Sequence, residues 1–317
     1  MAIDVRVGLP LVGGALPAAA RALGTPVLVS ANAFARYRGH GKGRAFAGFR
    51  ASAPDLDGLD VALDSAGFVA HARYGGFPWS PEAYVQLAAS RPWAWWAQMD
   101  ACCEAEIAGS RGIVRLRQAE TIRLLGVCER LARAAGIAPP MPVLQGRTVE
   151  DYVWHVRQLG ARLNGVALVG VGSMCRRHVA GPDGLLAVVD ALDMVLPPGV
   201  RLHLFGVKSS ALSALAAHPR VASVDSMAWD SGARYAHKFA SRTMSVRAAA
   251  MRAWHGAQVS AMASPAAFQG SLLDIGEPDG IHPAYVAWAE LLAAGETDIE
   301  SAAYHASWES CYGASAG

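Results

Sequence analysis

Four residues of this chain pair a chemically useful side chain with the same local setting. Asp64, Asp100, Gln145 and Asp225 each stand where a short apolar run stops and small or polar residues begin. The runs are LDVAL before Asp64, WAWWAQM before Asp100, MPVL before Gln145 and VASV before Asp225. A buried strand ending this way delivers a carboxylate or carboxamide to its C-terminal tip, where a loop opens. Several such tips at one end of a parallel sheet make a carboxylate-lined site suited to nucleophilic and acid–base chemistry. Asp225 is the candidate nucleophile because it sits at the switch from apolar to polar. Asp230, five residues on, is the competitor and reads as a loop or helix-entry residue.

The elements that must hold these groups alternate along the chain. Strands are expected over 25–30, 59–63, 93–99, 142–146, 166–171, 201–207 and 221–224. Helices are expected over about 18–23, 118–135, 149–163 behind a Thr148 cap, 184–196 and 245–255. Ser80 followed by Pro81 marks a further helix start. Residues 37–42, YRGHGK, read as a basic glycine-rich loop without the spacing of a phosphate-binding P-loop. This alternation predicts an α/β fold, a (β/α)8 TIM-like barrel with its site at the C-terminal rim. The eighth unit is irregular, because no clear strand follows Asp225. One barrel-like domain is expected over 1–317, with a mainly helical C-terminal part over about 245–317 that includes a helix at 283–308.

The 317 residues are 53% hydrophobic and 17% charged, a composition of well-packed globular chains. The net charge of +2 argues against nucleic-acid binding through bulk charge and leaves room for a local basic face. No basic leader before an apolar core and no apolar run of about 18 residues is present, so a cytoplasmic chain with no membrane partner is expected. Five cysteines without disulfide-framework spacing read as reduced thiols, and Cys102, Cys103 and Cys128 lack the spacing of a metal site.

Six motifs occur in one order: DSAGF from Asp64, MDACCE around Asp100, VLQGR around Gln145, VALVGVGS around Gly170, LHLFGVK around Phe205 and VDSMAW around Asp225. This order, from about Val27 to Tyr235, resembles the tRNA-guanine transglycosylase superfamily. GVGSMCRR and LHLFGVK are similar to its DpdA branch, whose members exchange a guanine in DNA for a 7-deazaguanine such as 7-cyano-7-deazaguanine (preQ0). The superfamily's zinc signature, CxCxxC with a distant His, is absent after Asp225, where only Cys311 lies. The segment with which the tRNA enzymes read the anticodon loop is missing, and no RNA-binding tail is apparent. The resemblance therefore implies DNA as partner and no metal or redox cofactor.

The resemblance also implies roles. Asp225 would attack the sugar C1′ and Asp64 would manage the purine proton. Asp100 would accept from the purine N1–H and amine, Gln145 would donate to its carbonyl, and Ser65 would also bind the base. Gly170 would permit close approach, and Phe68 and Phe205 would stack on the base. Phosphates would meet Arg176, Arg177, Lys208, Arg234 and Lys238 beyond the strand tips. The target nucleotide would flip out of the duplex, with Trp79 or Trp229 filling the gap, and accessory DNA-modification proteins are possible partners. Three alternatives stay open: tRNA base exchange, a glycoside or nucleoside hydrolase, and a non-catalytic nucleic-acid-binding homologue.

Overall fold

The structure is a computed structural model, and it describes residues 3–39, 45–50, 52–175, 177–216, 218–230, 233 and 243–263. Seven strands form one parallel sheet: β1 (Asp4–Leu9), β2 (Val27–Ser30), β5 (Val61–Asp64), β6 (Val143–Leu144), β7 (Leu168–Val171), β8 (Arg201–Leu204) and β9 (Val221–Ser226). Their order is β5-β2-β1-β9-β8-β7-β6. A separate antiparallel hairpin, β3 (Ala35–Arg38) with β4 (Ala45–Phe49), lies between β2 and β5 in the chain.

Helices fill the remaining connections. They are α1 (Ala15–Leu23), α2 (Gly67–Tyr74), α3 (Pro81–Ala89), α4 (Arg111–Ala134), α5 (Val149–Leu159), α6 (Leu185–Val195), α7 (Leu212–Leu215) and α8 (Met244–Ala263). Local chemistry sets their starts. The Ser80 hydroxyl accepts from the Ala83 N–H ahead of Pro81, and Thr148 forms a reciprocal capping box with Asp151.

Alternate strand residues face opposite sides of the sheet. Val5, Val7, Val27, Val29, Val61, Leu63, Val169, Val171, Leu202, Leu204 and Val224 are buried in two apolar clusters shared with the helices. The intervening positions include Arg6, Gly8, Ser30, Asp64, Gly170, His203 and Asp225, polar or small residues, together with the apolar Leu28 and Leu168. The sheet curls around that second face. Trp95, next to β5, has its ring centroid 4.6 and 6.3 Å from those of His203 and Phe205, although three strands lie between β5 and β8 in the sheet order. Arg6 lies over the Trp95 ring at 5.4 Å and pairs with Asp60 at 2.9 Å, which makes a floor beneath the site.

Three differences from expectation concern strands. The N-terminal β1 went unread because Asp4 and Arg6 interrupt its apolar pattern; it lies between β2 and β9. Among the described residues, the additional strand thus comes from the start of the chain. The strand expected over 93–99 contracts to Trp96 and Ala97, which bridge in parallel to Leu63 and Met141. Residues 37–38, expected in a loop, belong to β3. The helix expected at 283–308 lies outside the described residues. No described helix is long and apolar enough to cross a membrane.

Candidate active site

Asp64 ends β5, in register with Ser30 at the end of β2. The Ser30 hydroxyl donates to Asp64 Oδ2 at 2.8 Å, and the Ala66 N–H donates to the same oxygen at 3.0 Å. Ala66 adopts a left-handed φ of 63°, which turns the chain so that its N–H reaches back to the carboxylate. Burial pushes the Asp64 carboxyl up to about 7, and the charge of Asp100 adds to the push. The two hydrogen bonds oppose it, and the charge of Asp225 contributes a smaller increase. A carboxyl held there can carry a proton or release it near neutrality.

Asp100 is buried beside it. The Ser65 hydroxyl donates to Oδ1 at 2.7 Å and the Gln145 amide donates to Oδ2 at 2.5 Å. Burial raises its carboxyl to about 6, against the lowering effect of these two donors. Gln145 is fixed from three directions. Its Oε1 accepts from Ser173 at 2.6 Å, its backbone carbonyl accepts from Gln118 at 2.6 Å, and its N–H donates to His155 at 3.0 Å. Burial lowers His155 to about 4, so a neutral ring accepts that bond. Glycines make room for the group: a Cβ on Gly67 would stand 2.7 Å from the Asp100 carbonyl, and one on Gly172 only 2.1 Å from Gln145 Nε2.

Asp225 is 6% exposed within β9. Its Oδ1 accepts from the Gly206 N–H at 3.0 Å and faces His203 Nε2 at 3.3 Å. The pairing of β8 with β9 shifts register between Leu202↔Val221 and His203↔Ser223, leaving Ala222 as an extra residue. That bulge resets the alternation, so Val221 and Val224 both join the outer core while Ser223 and Asp225 face inward.

The other expected site residues are distributed as follows. A Cβ on Gly170 would meet the Phe205 ring at 2.7 Å, so that ring covers the space Gly170 leaves open. Phe68 is half-buried in the first turn of α2, directly after Gly67. Arg177 donates to the carbonyls of Arg147, Asp183 and Gly146 at 2.8, 2.6 and 3.2 Å, which ties two loops together. Lys208 is half-buried just before the turn at Ser209–Ala211. Arg176, Arg234 and Lys238 lie outside the described residues.

Two alternatives weighed from sequence, Asp230 as nucleophile and a tryptophan as gap filler, meet structural objections. Asp230 is fully buried and paired with Arg247 of α8 at 2.5 Å, so it cannot meet a substrate. Trp79 and Trp229 are 3% and 2% exposed inside the core, so neither is available to fill a gap in DNA. The described cysteines are free thiols, and burial raises Cys102, Cys103 and Cys128. Among the described residues, no three His, Cys, Asp or Glu side chains are grouped to hold a metal ion.

The model of the family DpdA, DeoxyPurine in DNA protein A, matches residues 11–255 of the 317. The chain belongs to the DpdA family. Among curated proteins, no relative matches it. The DpdA match spans Asp64, Asp100, Gln145, His203 and Asp225, and membership supports a role in DNA modification by a transglycosylase-type enzyme.

This DpdA chain also has site residues that sequence reading did not single out. Ser30 and Ser173 hold Asp64 and Gln145, and His203 and Ser223 stand beneath Asp225. His203 and Ser223 carried a usable signal, since each lies two residues before an expected site residue on its strand and so shares its face. Ser173 gave none; its contact depends on a left-handed φ of 55° that nothing in a serine announces. Arg36 and Arg38 form an exposed basic edge on β3, and of the two only Arg38 falls within the loop expected over 37–42.

Proposed function

We propose that the chain exchanges a guanine in DNA for a 7-deazaguanine base, such as preQ0, by double displacement. Asp225 attacks C1′ of the flipped-out deoxynucleotide while the C1′–N9 bond breaks. Asp64 gives its proton to N9 of the departing guanine, and an Asp225–sugar ester remains. In the second step N9 of the incoming base attacks C1′, Asp64 takes back the N9 proton, and Asp225 leaves as a carboxylate. Two inversions return the original configuration. The observation that carries this reading is the cluster of Asp225 and two raised carboxyls on one concave face.

The roles of the remaining groups follow from their chemistry. Asp100 accepts from N1–H and the exocyclic amine, with Ser65 and Gln145 holding its two oxygens. Gln145 reaches the base carbonyl, Gly170 keeps the floor thin, and Phe68 and Phe205 contribute stacking. Lys208, with Arg176, Arg234 and Lys238, meets the DNA backbone, while Arg177 braces the loops at Arg147 and Asp183. The reaction as written uses no metal or redox group. We further read the curled sheet as a (β/α)8 barrel in which Trp96–Ala97 is the eighth strand; the parallel bridges to Leu63 and Met141 support this.

The test is label exchange. The protein is incubated with preQ0 and either duplex DNA or tRNA containing radiolabelled guanine. Loss of label from DNA alone, abolished by Asp225→Asn, is the expected result. Loss from tRNA alone would move the chain to the tRNA branch, and loss from neither would overturn base exchange.

A further inference from the structure

His203 is wholly buried, yet nothing in the double displacement uses it. Its Nδ1 lies 2.8 Å from the Ser223 hydroxyl, and its Nε2 lies 3.3 Å from Asp225 Oδ1. Nε2 is buried without a hydrogen bond of standard geometry, and Asp225 Oδ1 is the acceptor it faces. Trp95 and Phe205 clamp the ring, each with its centroid 4.6 Å away. A side chain so enclosed has one orientation, and that orientation aims a nitrogen at the carboxylate.

The protonation pattern follows from these neighbours. Burial lowers the His203 pKa, and the nearby Asp225 carboxylate only partly opposes this. A neutral imidazole carries one N–H. Were it on Nδ1, the Nε2 lone pair would face the Asp225 carboxylate, two acceptors in a dry site. The Ser223 hydroxyl can rotate to donate to Nδ1, which places the hydrogen on Nε2, towards Asp225. The chain Ser223 O–H to Nδ1, then Nε2–H to Asp225 Oδ1, gives every group a partner.

We propose that His203 is the positioning residue of the nucleophile, donating through Nε2–H to Asp225 Oδ1 alongside the Gly206 N–H. This rests on the reading of Asp225 as nucleophile. Two donors on Oδ1 leave Oδ2 as the attacking atom. Once the ester forms, Oδ1 becomes its carbonyl oxygen, and the same donors receive the charge that returns when the carboxylate is expelled. His203 therefore acts most strongly in the second displacement, where Asp225 is the leaving group.

The test compares wild type, His203→Leu and His203→Gln, whose amide can place an N–H near the Nε2 position. Covalent protein–DNA adduct is read on a denaturing gel and exchange by steady-state kinetics. His203→Leu should lower kcat about tenfold to a hundredfold with little change in KM for DNA, and adduct should accumulate. His203→Gln should recover part of kcat. Wild-type kcat in His203→Leu, or equal impairment in both variants, would overturn the proposal. Independently of activity, 15N spectra of the wild-type protein should show His203 as the Nε2–H tautomer; an Nδ1–H ring would overturn it too. If Asp225→Asn still exchanges base, it is the nucleophile assignment that fails, and this proposal falls with it.

Discussion

The Gln145 side chain donates to Asp100 Oδ2 at 2.5 Å, so the two groups assigned to a purine edge are each other's partners. The bond does more than orient them. It is one of two that hold down the Asp100 carboxyl, which burial raises to about 6. Without it, the charged form loses a donor and the carboxyl moves further up. Below its pKa, Asp100 is protonated and cannot accept both N1–H and the amine.

Gln145→Leu should therefore raise KM for the free base about tenfold, the order of one hydrogen bond to a charged group. In wild type, base affinity should improve as pH rises through about 6. In Gln145→Leu that inflection should move to higher pH. Initial rates across pH at varied preQ0 read both effects. An inflection unmoved by the substitution would mean that Asp100 does not set base affinity.

Asp64 gives a second pH dependence. Guanine release needs the protonated carboxyl, which is present below about 7. Hence kcat/KM for DNA should fall as pH rises through about 7, and Asp64→Asn should lose both activity and that limb. The same shift affects stability with a definite sign. The folded pKa lies above the ordinary value of 3.8, so the folded state binds the proton more tightly than the unfolded chain. Ionising Asp64 in the fold is then a cost that is absent below about 4 and complete above about 7. Asp64→Asn should raise stability at pH 8 by up to about 4 kcal/mol, and the melting temperature with it, and the gain should vanish by pH 4. Thermal melts at the two pH values check it.

Asp230 and Asp225 should respond oppositely to substitution. Asp230 is fully buried against Arg247, and removing it strands a guanidinium that is 5% exposed. Asp230→Ala should cost about 3 kcal/mol and lower the melting temperature, with loss of activity following loss of fold. Asp225→Asn should keep the melting temperature near that of wild type while abolishing adduct. Chemical denaturation and adduct gels on the two variants separate an anchoring carboxylate from a reacting one.

The sequence-level reading succeeded where one strand carries its own signal. β5, β7, β8 and β9 are apolar runs that stop sharply, and their tips hold Asp64, Gly170, Phe205 and Asp225 close to where the pattern predicts. It failed where the signal lies in a partner. Arg6 breaks the pattern of β1 because Asp60 and the ring of Trp95 receive it inside the sheet. Asp230 does stand in a short helical turn, as a loop or helix-entry residue would, but its partner Arg247, seventeen positions on, left no mark in the local pattern. Arg177 reads as rim charge until three loop carbonyls are seen to hold it.

Gly172 offers a test of the base pocket that spares the backbone. A Cβ there would stand 2.1 Å from Gln145 Nε2 and 2.7 Å from its Cδ, both atoms of a flexible side chain. The methyl group should push the amide away from Asp100 and Ser173, breaking bonds of 2.5 and 2.6 Å. Gly172→Ala should raise KM for the base about tenfold, as Gln145→Leu does, and the double variant should be little worse than either alone. Gly165 is the control, because its φ of 75° is left-handed and no atom lies within 4 Å of its Cβ position. Gly165→Ala should lose about 1 kcal/mol of stability and leave KM unchanged. Additive effects of Gly172→Ala and Gln145→Leu would show that Gly172 acts on the base by some route other than Gln145.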